Sequence, residues 1–142
     1  PAPEMARVCK PGGWIGRANW TPSSFVGELF KLRGRYLPPL AGVKSPALWG
    51  TEERLRELFG NRIDTIAVER RDFVFRYRSA AHWLEVFRTF YGPMQTAFSA
   101  LDSASQQSLA EDLIALAQRF NRASDGSLVA PGEYAEVVIR RK

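Results

Sequence analysis

The residues in this 142-residue chain that could do chemistry are few and scattered. One histidine, His82, and one cysteine, Cys9, cannot assemble a zinc site of the usual ligand types, and the single cysteine excludes an intramolecular disulfide. No Ser, His and Asp set and no spaced run of metal ligands emerges, so neither a catalytic residue nor a metal ligand is assigned. Gly12-Gly13-x-x-Gly16 has glycines at phosphate-loop spacing. A dinucleotide loop, however, follows a strand and opens a helix, and here the order is reversed. Arg70-Arg71 with Phe73 and Phe75 interleaves cations and rings as single-strand nucleic-acid binders do, but a half-buried strand needs the same alternation. Tyr36 and Trp49 bracket a segment carrying Pro38-Pro39, Gly42 and Pro46; they could line an apolar pocket or pin that loop to the core.

The elements that must position these residues are legible in order. Met5, Val8 and Cys9 repeat at helical spacing, Lys10 adds a cation at the helix end, and Pro11-Gly12-Gly13 stops it. The apolar run Trp14 to Trp20 then reads as a buried strand. Thr21-Pro22-Ser23-Ser24 signals helix entry, with a hydroxyl cap and proline at the first helical position, and Phe25, Val26, Leu29, Phe30 and Leu32 form the stripe of the helix. Thr51 caps a short helix ending at Gly60. Ile63 to Tyr77 reads as one long strand or two halves separated by Glu69-Arg70-Arg71-Asp72, where a bulge would switch the buried face. Ser79 caps an aromatic-faced helix, Met94 to Leu101 continue helically, and Asp102 caps a longer helix to Phe120. Leu128-Val129 is interrupted by Pro131-Gly132, and a final strand runs Tyr134 to Arg140.

Composition sets the bounds. At 45% hydrophobic the chain can bury the core of one ordinary domain, 1–142. Its longest apolar runs are far short of the roughly 20 residues that cross a bilayer, so no membrane span is expected and a cytoplasmic location is the default. A net charge of +5 permits an anionic partner, but the basic residues are spread thinly, and nucleic acid ranks lowest among the partners.

Arg7-Val8-Cys9-Lys10-Pro11-Gly12-Gly13, followed by the hydrophobic strand, resembles the passage into the fifth strand of class I S-adenosylmethionine-dependent methyltransferases. This Rossmann-like group includes ubiquinone and menaquinone biosynthesis enzymes. Ala18-Asn19-Trp20-Thr21-Pro22, Gly42-Val43-Lys44-Ser45-Pro46 and Trp49-Gly50-Thr51-Glu52-Glu53-Arg54-Leu55 are similar to one bacterial branch of that family, in the same order. The family's glycine-rich cofactor loop and the acidic residue ending its second strand would lie before Pro1.

The resemblance implies an α/β fold: an incomplete Rossmann-like methyltransferase sheet of about three strands, the last inserted antiparallel between the other two, with four or five packed helices. It makes 1–142 the C-terminal half of a methyltransferase-like fold and 79–122 a helical insertion or lid. Asn19, Trp20, Tyr36 and Trp49 become candidates for binding a small-molecule methyl acceptor. S-adenosylmethionine is implied for the intact enzyme, with no cofactor expected on this chain alone. The first strand would present a raw sheet edge, through which a homodimer could form. The alternative is a non-catalytic α/β interaction or dimerisation module.

Overall fold

The computed structural model describes all 142 residues. The chain runs α1 (Ala2–Val8), β1 (Trp14–Trp20), α2 (Phe25–Tyr36), a 3₁₀ turn (Pro46–Gly50), α3 (Glu52–Phe59), β2 (Ile63–Tyr77), α4 (Ala80–Phe90), α5 (Gly92–Ala100), α6 (Ser103–Phe120) and β3 (Leu128–Arg141). It is an α/β protein with six helices and one three-stranded antiparallel sheet. The strand order is β1-β3-β2, so β3 lies between the other two and antiparallel to both, while the outer side of β1 has no strand partner.

Helix starts follow the capping chemistry. The Ser24 hydroxyl accepts from Gly27 N at 3.1 Å, Ser79 from His82 N at 3.0 Å, and the Asp102 carboxylate from Ser105 N at 2.8 Å. Ser24 is the cap of α2, which places Pro22 ahead of the helix rather than at its first position. Gly60, at φ +56°, takes the conformation that ends α3.

The sheet departs from expectation in β3 and takes the single-strand alternative in β2, for one physical reason. β3 is continuous through Pro131-Gly132, and β2 is continuous through Glu69–Asp72; the register shift in β2 falls at Ile63/Thr65 instead. Along β3 the buried residues are Leu128, Ala130 and Gly132, then Ala135, Val137 and Ile139. These two sets have opposite parity and so lie on opposite faces. At one end of the sheet, α2, α4, α5 and α6 cover one face, with Phe25, Phe75, Trp83, Met94, Leu113 and Leu128 in the core. At the other end, α1 and α3 cover the opposite face, packing Ala6, Leu55 and Phe59 on Ile15, Val137 and Ile139. The phase of the apolar alternation changes because the covered face changes, without a bulge. Pro131 is tolerated in the central strand opposite Val74.

Residues 80–120 form three consecutive helices between β2 and β3, where a helical insertion was expected. They are a core layer: Trp83, Met94, Ala97 and Leu113 are fully buried.

Candidate functional site

The carboxyl end of β1 is held from two sides by glycines. A Cβ at Gly27 of α2 would collide with the carbonyl oxygens of Thr21 and Pro22, and one at Gly50 would collide with that of Trp20. Only glycine allows these backbones to approach so closely. The exit from β1 therefore has a fixed path between α2 and the 3₁₀ turn.

Alternation along β1 sends Asn19 and Trp20 to opposite faces. The Trp20 ring packs with Phe73, Phe75 and Tyr134, with centroid separations of 6.3, 5.8 and 6.1 Å. It also sits against Gly132, where a side chain would strike both Trp20 and Phe75. Trp20 is thus part of an aromatic cluster bordering the larger core. Tyr36, at the end of α2, donates its hydroxyl to Asp112 of α6 at 2.8 Å. That bond, then burial, raises the phenol above its ordinary value.

On the other face, Trp49 lies under a guanidinium: Arg17 Cζ is 3.9 Å from its ring centroid. Arg17 and Asn19 project to the same face two residues apart, and each carries a buried polar atom without a partner, Nη1 of Arg17 and Oδ1 of Asn19. Burial pushes the Arg17 pKa below its ordinary value, although a guanidinium stays charged at neutral pH. One step further along the strand, Thr21 donates to Glu133 Oε1 at 2.7 Å, and Arg70 donates to the same oxygen at 3.1 Å. The face thus grades from an apolar floor of Ile15, Val137 and Ile139 to a polar rim of Arg17, Asn19, Thr21, Arg70 and Glu133.

The structure therefore brings Asn19 and Trp49 to one face, with Arg17, and separates Trp20 and Tyr36 from them. Tyr36 and Trp49 belong to different clusters and do not jointly line a pocket. None of the four main cavities is lined by Asn19, Trp20, Tyr36 or Trp49. Sequence reasoning missed Arg17, although a signal was present: a charge at the centre of a seven-residue apolar strand needs a compensating group. His82 is in the first turn of α4, its Nδ1 accepting from Arg78 N at 3.4 Å and its ring edge-on to Tyr77. No group of three or more His, Cys, Asp or Glu residues is placed to hold a metal. No helix is long and apolar enough to cross a membrane.

No protein-family model matches the chain. It is similar to two uncharacterized proteins of Mycobacterium tuberculosis. One, Rv1403c, is 35% identical over 102 residues, covering 70% of this chain and 37% of that protein. The other, Rv1405c, is 31% identical over 129 residues, covering 88% of this chain and 46% of that protein. The chain thus spans less than half the length of these relatives.

Proposed function

We propose that these residues form the acceptor side of an S-adenosylmethionine-dependent methyltransferase acting on a small molecule, within a Rossmann-like sheet that is incomplete in this chain. The observation that carries the reading is the strand order β1-β3-β2, with the last strand antiparallel between two mutually parallel ones. The family resemblance implies this order for its fifth, seventh and sixth strands. The free outer edge of β1 is where that pattern would continue. The chain's span of less than half of its longer relatives is compatible with a protein of two parts.

The residues present do not fit the cofactor. No strand is followed by a glycine turn and then a helix: Gly12, at φ +71°, lies between α1 and β1, and the β1-to-α2 junction is Thr21-Pro22-Ser23-Ser24. The α2 N-terminus already uses the Ser24 hydroxyl as its cap. No step is assigned to the cofactor through this chain. What its residues contribute is orientation. The Arg17 and Asn19 pair holds an unpaired donor and an unpaired acceptor beside the Trp49 ring, both closed to solvent, so an acceptor reaches them only when the Arg17 side chain moves off Trp49. In methyl transfer, such positioning supplies much of the rate.

The test is transfer of radiolabelled methyl from S-adenosylmethionine by the full-length Rv1403c protein to a panel of small aromatic acceptors. Turnover supports the reading, and absence of both turnover and cofactor binding overturns it. A non-catalytic dimerisation module is the second reading, favoured by the open β1 edge and by Trp14, Val138 and Phe73, which are 63%, 40% and 52% exposed. Symmetric antiparallel pairing of two β1 strands about Arg17 would, however, set two guanidiniums opposite each other, a destabilising arrangement. Sedimentation velocity distinguishes the two: a tight dimer of this chain favours the module.

A further inference from the structure

At the opposite end of the sheet, a cleft of about 400 Å³ is lined by Pro3, Ala6, Arg7, Arg62, Arg141 and Lys142. Four of the six lining side chains are cationic and none is acidic. Arg7 is neutralised by Glu4 at 2.5 Å, but Arg62, Arg141 and Lys142 have no ion-pair partner. Asp64, two residues beyond Arg62, pairs with none of them either. We infer that this cleft binds a small phosphate-bearing anion.

Two of the cations are already oriented. Arg141 donates Nη1 to the Cys9 carbonyl at the end of α1, and Arg62 donates Nη1 to the Phe59 carbonyl at the end of α3, at 3.4 Å. Each guanidinium is held by one nitrogen and keeps its remaining donors without a protein acceptor. Holding the forks in advance lowers the entropy lost when a ligand binds. The arginine fork matches the paired oxygens of a phosphate group, and a lysine ammonium adds a mobile charge. Three uncompensated cations around one cleft repel one another, and an anion relieves that repulsion. The volume suits a small molecule rather than a polymer strand.

The cleft is distinct from the acceptor-side residues. It sits where β1 and β2 begin, and β1 is seven residues long, which puts it roughly 20 Å from the Thr21 end. It is also at the wrong end of the strands for the usual ligand crevice of open α/β sheets. The inference therefore stands whether or not the chain belongs to a methyltransferase.

Pyrophosphate is the probe, titrated calorimetrically into this chain at low ionic strength, with citrate as a carboxylate anion of comparable charge. Arg62 and Lys142 are exposed, so Arg62→Gln and Lys142→Gln should leave the fold intact, as circular dichroism would verify. Pyrophosphate should bind at one site and more tightly than citrate, and each substitution should weaken it by about tenfold. Arg76→Gln removes the same charge from an exposed position on β2 outside the cleft, and it should leave affinity unchanged. No heat with millimolar pyrophosphate, equal affinity for citrate, or equal weakening by Arg76→Gln would overturn the inference.

Discussion

Arg17 is the residue whose chemistry is least explained by packing. Its guanidinium lies over Trp49, while a buried Nη1 has no partner. An unsatisfied buried polar group costs about 1–3 kcal/mol, and a charged one more, whereas a cation over an aromatic ring returns only about 0.5–2 kcal/mol. If Arg17 served stability alone, its replacement would be harmful. Arg17→Met keeps the apolar stem and removes the unpaired charge, so the variant should melt at the same temperature or higher by calorimetry; a clear loss of stability would mean that the guanidinium is structurally satisfied. Tyr36 gives a prediction with a defined pH window. Its hydrogen bond to Asp112 raises the folded pKa above the ordinary 10.0. A raised folded value stabilises fully below the unfolded pKa and is lost as pH rises through the folded one. Tyr36→Phe should thus melt below the unsubstituted chain at neutral pH, and the gap should close above about pH 10. A gap independent of pH would show that the hydroxyl contributes nothing through ionisation.

Among the elements, the exit from β1 is the most constrained. Gly50→Ala forces a methyl against the Trp20 carbonyl, and overpacking of this kind costs about 1–3 kcal/mol. Ser24→Ala removes a buried cap that both accepts from Gly27 N and donates to the Thr21 carbonyl at 2.8 Å, and a loss of about 0.5–2 kcal/mol in chemical denaturation is expected. The open edge of β1 is testable by amide exchange. Thr21 N donates to the Glu133 carbonyl, so by alternation Arg17 and Asn19 also direct their amides to β3, while Gly16 and Ala18 direct theirs outward. Gly16 and Ala18 should exchange much faster than Arg17 and Asn19; equal protection would mean that another chain pairs with the edge. Most of these elements were legible in the sequence, because caps at Ser24, Thr51, Ser79 and Asp102 and the stop at Gly60 act over three or four residues. The unbroken β3 was not, and the single long β2 was legible only as one of two alternatives. The polar run Glu69–Asp72 resembles a break because the covered face of the sheet changes there, and only the tertiary arrangement of the helices reveals that.

For the molecule as a whole, the same contrast between local and long-range information explains what could be foreseen of the site. Asn19 and Trp49 share a face as two of four candidate residues, while Trp20 and Tyr36 lie elsewhere. Neighbours in sequence on a strand point in opposite directions, and the Tyr36-to-Trp49 loop spans two clusters. Arg17 and the basic cleft arise from residues distant in sequence that the sheet gathers: Arg7, Arg62 and Arg141 come from three elements. The proposal of an acceptor part separated from its cofactor part rests on this global architecture, a three-stranded sheet in which β3 is central and the outer sides of β1 and β2 are unpaired. It is tested most directly by titrating S-adenosylhomocysteine into this chain and, in parallel, into its longer relative Rv1403c. The account predicts no binding heat for the 142 residues and binding heat for a relative that carries the additional part. A chain that binds S-adenosylhomocysteine alone at micromolar concentration would contradict the account.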